Sequence, residues 1–225
     1  MRKIGLLVAM EKEARDIIAG LQSTYSLEYK GKTFTIGKMG DNEVILALAG
    51  IGKVNAAFTT TIMVEKFGVD VVINTGIAGG VGKLKPLSAL SVSRVCQHDS
   101  DTTALGDPIG LISGLNMVYF DADKEIVEVI KNGAENASVG IVATGDTFIA
   151  DSNKAKAIAN TFGAGACDME CGAVAQVCHI LGVKFGALKV ISDSAEDGAE
   201  LSYNELAETA CKINSSTLLK VISQL

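Results

Sequence analysis

The chain is predicted to fold as an α/β protein in three layers, αβα, with a central mixed, mostly parallel twisted sheet flanked by helices. Three observations predict it. Aliphatic and β-branched runs recur along the chain without alternation, as strands buried on both faces require. Segments with apolar residues at helical spacing stand between them. The 225 residues, 48% of them hydrophobic, suffice to close one core over residues 1–225, and no linker-like composition interrupts them.

The elements follow in order. Lys3–Ala9 is an apolar run stopped by Glu11 and Lys12 and reads as a strand, and Glu11–Leu21 reads as a helix with acidic residues in its first turn. Strands are predicted over Thr33–Lys38 and Val44–Ala49. A helix is predicted over Val54–Phe67, with Val54, Phe58, Thr61 and Ile62 on one face. Val69–Asn74, Ala89–Gln97 and Val139–Thr144 are strands by their β-branched content. Helices fit Lys154–Phe162 and Met169–Leu181. In the latter, Val174, Val177, Cys178 and Leu181 share a face and leave the opposite face free for Glu170. Phe185–Ile191 is the last strand and Tyr203–Leu225 the last helix.

Charge and composition exclude several classes of function. With 26 acidic against 20 basic side chains and a net charge of −6, the chain lacks the basic field that binds nucleic acid. Its first apolar run, Ile4–Met10, is far shorter than the ~20 residues of a membrane span, and no signal-peptide cleavage site follows it. Five cysteines in apolar surroundings, with no Cys-x-x-Cys pair, read as reduced thiols of a cytoplasmic protein. Cys167, Cys171 and His179 have the residue types of a metal site. With only His98 as a second imidazole they read instead as small buried side chains, and no metal is expected.

In α/β sheets ligands gather where the strands end. Four such places carry polar residues: Ala9-Met10-Glu11-Lys12-Glu13, Asn74-Thr75-Gly76-Ile77-Ala78-Gly79-Gly80, Thr144-Gly145-Asp146-Thr147-Phe148-Ile149, and residues 191–197 with Ser192 and Asp193. The glycine-rich stretch matches neither phosphate-binding fingerprint, and it reads either as a tight turn or as a ligand cradle. Gly50-Ile51-Gly52-Lys53 reads as a helix start, and Asp99 with Asp101 as a structural loop. Glu13 reads as a first-turn helix-stabilising acid or as a functional carboxylate, and Asp193 as an Asx-turn or as a functional acid.

These segments, together with Gly50-Ile51-Gly52-Lys53-Val54-Asn55-Ala56-Ala57, His98-Asp99-Ser100-Asp101-Thr102-Thr103-Ala104 and Asp168-Met169-Glu170, occur in the order found in one family. Over nearly its whole length the chain resembles the 5′-methylthioadenosine/S-adenosylhomocysteine nucleosidases of the nucleoside phosphorylase superfamily. The resemblance implies hydrolysis of the bond between adenine and ribose, in nucleoside catabolism and methionine salvage. Such a cleavage builds positive charge on the sugar and negative charge on the base, so it needs an acid at the base, a carboxylate at the sugar and an activated water.

By the same resemblance Glu13 would deprotonate the water, Asp193 would protonate N7 of adenine, and Ser192 would orient Asp193. Glu170 would accept the ribose hydroxyls, with Met169 packed on the sugar. Phe148 would stack on adenine, the Ile149 backbone would read its edge, and Tyr203 would lie near the base. Met10, Ile77, Ala78 and Gly79 would line the pocket, with Lys189 close to the water. Thr102 and Leu105 match positions that complete the 5′ pocket of a neighbouring subunit, so a homodimer is expected. The partners implied are a nucleoside and water; no cofactor is required.

The chain departs from the pattern at Ile77 (often serine), Lys189 (often arginine), Leu105 (often phenylalanine), Tyr203 (commonly phenylalanine) and Leu87-Ser88 (often glycine-aspartate). The alternatives are a hydrolase of another purine nucleoside such as inosine or futalosine, a phosphate-dependent nucleoside phosphorylase, and a nucleoside-binding protein without catalysis. Met10-Glu11-Lys12-Glu13 argues against the phosphorylase, because two carboxylates there would repel phosphate.

Overall fold

The structure, a computed structural model, describes residues 1–135, 137–195 and 199–225, the side chains of residues 201 and 202 excepted. In chain order the elements are β1 (Lys3–Val8), α1 (Glu11–Gly20), β2 (Gln22–Tyr29), β3 (Lys32–Met39), β4 (Asn42–Leu48), α2 (Lys53–Glu65), β5 (Val71–Gly80) and β6 (Ala89–Gln97). A short 3-10 turn, Thr103–Leu105, precedes β7 (Tyr119–Asp121), α3 (Lys124–Gly133), β8 (Ser138–Thr144) and α4 (Ser152–Phe162). Last come β9 (Ala166–Asp168), α5 (Cys171–Leu181), β10 (Lys184–Asp193) and α6 (Ala199–Ile222).

The strands form one mixed sheet in the order β10-β6-β8-β9-β5-β1-β4-β3-β2, with β7 beside β6. Parallel pairings join β1 to β4 and β5, β5 to β10, and β8 to β6 and β9. β10 pairs with β5 as well as with β6, so β5, β10, β6, β8 and β9 close on themselves and the sheet is not open at that end. The β1 side chains divide the core as a buried strand must. Ile4, Leu6 and Val8 pack with Ile17 of α1 and Leu218 of α6, whereas Leu7 packs with Met63 of α2 and Val174 of α5. The layers are therefore α1, α3 and α6 on one face and α2 and α5 on the other.

Four differences from the expected elements have physical causes. On α2, Val54, Phe58 and Thr61 face solvent and only Ile62 of that quartet is buried; the inward face is Ala56, Thr59, Thr60 and Met63, whose small members let α2 approach α5. β5 runs through the glycine-rich stretch to Gly80, because β10 and β9 supply it with ladder partners, so no turn forms there. β2, β7, α3 and β9 add to the predicted elements. β2 is exposed along almost its whole length, and β7 and β9 have three residues each, so none carries a buried apolar run. Of the polar segment 191–197, residues 196 and 197 lie outside the described ones. Leu87, where the resemblance leads one to expect glycine, adopts φ +66°.

Candidate active site

The ends of β1, β5, β9 and β10 open onto a cavity of about 400 Å³. Glu13 reaches it from the first turn of α1 and is almost wholly buried. Its Oε2 accepts the N–H groups of Ala9 (3.0 Å) and Met10 (2.9 Å), which caps the helix start, while Oε1 accepts the N–H of Ile77 (3.0 Å) from β5. Helix capping and presentation to the cavity are thus served by one carboxylate. The chain makes room for it at Gly76, φ +147°, where a Cβ would fall within 2.8 Å of the Glu13 carboxyl carbon and overlap Oε1. Burial lifts the Glu13 pKa above the ordinary carboxylate value; the Lys189 charge and the three N–H groups pull it back only in part.

Ser192 and Asp193 both line the cavity, although successive strand residues point to opposite faces. A register irregularity between Ile191 and Asp193 reconciles the two: the extra residue in β10 re-aims its end. Asp193 Oδ2 accepts the Ser192 hydroxyl at 2.7 Å, and Oδ1 accepts the Ala195 N–H at 2.8 Å. The plane of the carboxyl group is therefore fixed. Gly79 faces Asp193 across the ladder, and a Cβ there would lie 3.0 Å from Oδ1.

Glu170 stands at the residue preceding α5, and its buried Oε1 turns away from the helix to accept the N–H of Gly52 at 2.8 Å. Burial, with Asp168 close by, outweighs the pull of Lys189 and the Gly52 N–H, and its pKa is pushed up to about 7. Met169 stands beside it on the cavity wall. Opposite, Phe148 is half-exposed and meets Tyr203 edge-on, ring centres 5.9 Å apart. The Tyr203 hydroxyl accepts from Lys12 Nζ at 2.8 Å and donates toward the Met10 sulfur at 3.5 Å, and the Lys12 ammonium lies 4.4 Å from the ring centre. Ile149, Ile77, Ala78 and Gly79 complete the wall.

Lys189, expected close to the water, does not line this cavity, nor do Thr102 and Leu105, which were expected at a neighbouring subunit's 5′ pocket. Lys189 is buried behind the cavity, its ammonium 2.8 Å from Asp168 Oδ2, because a charge inside the core must take the nearest counter-charge. Burial opposes the ammonium most strongly of any single influence, but Asp168, Cys171 and Glu170 together outweigh it and raise its pKa. Lys189 reaches Glu13 through its field, not by contact in the wall. Thr102 donates its hydroxyl to Asp107 Oδ2 at 2.7 Å, and Leu105, in the 3-10 turn, is 83% exposed. Asp99 and Asp101 lie in the loop after β6, where Asp99 pairs with Lys53 at 2.7 Å and Asp101 accepts the Thr103 N–H.

The family model of the phosphorylase superfamily matches residues 3–225. The chain belongs to the phosphorylase superfamily. Within it, a 5′-methylthioadenosine/S-adenosylhomocysteine nucleosidase of Exiguobacterium sp. is 39% identical over 99% of this chain and 97% of that protein. An aminodeoxyfutalosine nucleosidase of Campylobacter jejuni is 34% identical over the full length of both. The crystal structure of the Streptococcus pyogenes S-adenosylhomocysteine nucleosidase in complex with 5-methylthiotubericidin superposes with a TM-score of 0.95, at 33% identity over 100% of this chain and 97% of that one.

Against this superfamily background, Asp168 is the functional-site residue that sequence reasoning missed. It accepts from Lys189, from Thr144 Oγ1 (2.6 Å) and from the Cys171 N–H (2.9 Å), tying β8, β10 and α5 together beneath the cavity. The signal was present: a lysine inside the apolar run Phe185–Ile191 demands a buried acid. Ile51 and Thr147 also line the cavity and carry no chemical signature in sequence. Among the described residues no cluster of three or more His, Cys, Asp or Glu side chains has a metal-binding arrangement.

Proposed function

We propose that this protein hydrolyses the N-glycosidic bond of 5′-methylthioadenosine, S-adenosylhomocysteine and 5′-deoxyadenosine, releasing adenine and the 5′-substituted ribose. The observation that carries the reading is the convergence of Glu13 and Asp193, from opposite ends of the chain, on one cavity with Glu170 and Phe148. Glu13 removes a proton from water, the oxygen of that water bonds to C1′, and the bond from C1′ to N9 of adenine breaks. Asp193 delivers a proton to N7, so the base leaves neutral. A carboxylate raised toward neutrality by burial suits the first step, and Glu13 is such a group. Glu170 accepts the ribose hydroxyls and Phe148 stacks on the base. Ser192 holds Asp193 and is no nucleophile: its hydroxyl pairs with a carboxylate, not an imidazole.

The working protein is a cytoplasmic homodimer of one-domain subunits in methionine salvage. The single sheet supports one folding unit over residues 1–225, and the five free, buried thiols suit a reducing compartment. Ile51, Val54 and Phe58 expose an apolar strip along α2, and Ile51 also lines the cavity. We assign that strip to the second copy, with the exposed Leu105 and Thr102 as the residues it contributes to the 5′ pocket. Among the described residues no helix is long and apolar enough to cross a membrane.

A second reading, hydrolysis of an aminodeoxyfutalosine-type nucleoside, is favoured by the full-length Campylobacter jejuni relative. Base release from the three proposed substrates, adenosine, inosine and aminodeoxyfutalosine, with and without phosphate, tests both. Adenine release from the thio-nucleosides without phosphate is expected. Strict phosphate dependence would move the protein to the phosphorylases, and silence on all six would leave a binding protein.

A further inference from the structure

The start of α2 touches both sides of the cavity through two consecutive peptide groups. The Gly52 N–H donates to Glu170 Oε1 at 2.8 Å, and the Lys53 N–H donates to Asp146 Oδ1, also at 2.8 Å. Glu170 belongs to the sugar side, and Asp146 stands two residues before Phe148 on the base side. Such divergence depends on the Gly52 backbone, φ +100°, where a Cβ would lie 3.1 Å from Asp146 Oδ1.

Asp146 is held a second time. Its N–H donates to Asp99 Oδ2 at 3.0 Å, and Asp99 Oδ1 accepts Lys53 Nζ at 2.7 Å. The chain of contacts thus returns to Lys53 and forms a closed ring of three residues from α2, the end of β6 and the loop after β8. Lys53 Nζ also donates to Gln97 Oε1 at 3.1 Å, and Gln97 Nε2 donates to Gln176 Oε1 of α5 at 2.6 Å. The ring is thereby anchored to the helix that Glu170 precedes. Burial works against ionised Asp99, but the Lys53 ammonium and the Asp146 N–H outweigh it and hold the Asp99 carboxyl below its usual pKa. The Asp99 carboxylate of this ring therefore stays charged at neutral pH.

We infer that Lys53, Asp99 and Asp146 are positioning residues of the nucleosidase: their ring sets the distance between the sugar-binding Glu170 and the base-stacking Phe148. None of the three lines the cavity, so each acts through Gly52 or through the loop that carries Phe148. The inference rests on the function proposed above. The Lys53–Asp99 pair is partly open to solvent, with side chains 22% and 27% exposed, and pairs of that kind add little to stability. Its loss therefore appears in substrate binding more than in melting.

The test uses the full chain and the variants Lys53→Met, Lys53→Arg and Asp99→Asn, read by steady-state cleavage of 5′-methylthioadenosine, by equilibrium affinity for adenine, and by thermal melting. Lys53→Met keeps its own N–H bond to Asp146 and loses only the ammonium. We expect KM and the adenine dissociation constant to rise about ten-fold or more in Lys53→Met and Asp99→Asn, with kcat changed less than KM and melting close to wild type. Lys53→Arg keeps a cation and recovers most of the affinity. KM and adenine affinity within about two-fold of wild type in both Lys53→Met and Asp99→Asn would overturn the inference, as would a melting collapse with unchanged adenine affinity in the folded fraction. If Lys53→Met does not fold, Asp99→Asn decides alone. A wild-type protein that binds adenine but cleaves no nucleoside would refute the proposed function, and adenine affinity alone would then decide the ring.

Discussion

The ammonium of Lys189 lies 2.8 Å from Oδ2 of Asp168, and both side chains are closed off from solvent. Removing one partner strands the other. Lys189→Met is expected to cost about 3–5 kcal/mol, because the Asp168 carboxylate keeps only the Thr144 hydroxyl and the Cys171 N–H. The double variant Lys189→Met/Asp168→Asn is expected to melt above the single one, since no buried charge is left unpaired. Thermal or urea unfolding of the three proteins checks this.

Glu13→Gln is expected to lower kcat by about 10²–10⁴-fold, since an amide cannot take a proton from water. It also turns an NH₂ group toward backbone N–H donors, so a stability loss of about 1–3 kcal/mol accompanies it. Gly76→Ala, which alters no functional side chain, is expected to lower kcat/KM by about 10²-fold by displacing the carboxylate it abuts. Steady-state adenine release with far-UV circular dichroism on both variants checks the pair.

Asp193→Asn is expected to lower turnover of 5′-methylthioadenosine by about 10²–10⁴-fold while sparing a 5-thioriboside of p-nitrophenol, whose leaving group departs without a proton. Ser192→Ala is expected to lose only about ten-fold, because the Ala195 N–H still holds the other carboxyl oxygen. Equal losses on the two substrates would remove Asp193 from the acid role.

Glu170 titrates at about 7 in the folded protein against 4.5 for the ordinary group, because burial disfavours its charge. The folded state thus holds the proton more tightly than the unfolded chain. The stability this lends is fully present below pH 4.5 and is lost as the pH rises through about 7. Glu13, raised in the same direction, adds to the slope. Glu170→Gln is expected to flatten stability against pH in that window and to be the more stable protein at pH 8, by on the order of 2 kcal/mol. Ribose hydroxyls favour the ionised acceptor, so the wild-type KM is expected to fall as the pH rises through 7 and to be level in the variant. Melting curves and KM measured from pH 5 to 8 check both.

Much of this molecule was legible in its residues, and the gaps have reasons. Ala89–Gln97 was readable as a strand to the residue, because nothing but its own apolar run decides it. Thr75–Gly80 was not, because its glycines are strand residues only where β9 and β10 flank them. α3 was readable and overlooked: Asp123 caps it through the Glu125 and Ile126 N–H groups, and Ile126, Val127 and Ile130 fall at helical spacing. Glu13, Asp193 and Glu170 could be singled out as acids at strand and helix ends, but the bulge that turns Asp193 and Ser192 to one side exists only in the ladder with β5. Lys189 could be noticed but not located, since its position follows from Asp168 on a strand of three residues.

The closure of β10 onto β5 sets Lys184 opposite Val71, about half the chain away. Contacts of such separation carry a large loop-closure cost, and a topology rich in them folds slowly. A chain lacking β10 lacks Ser192, Asp193 and the strand that joins β5 to β6. Activity is therefore expected only where β10 is paired with β5, and loss of that pairing removes the acid from the site.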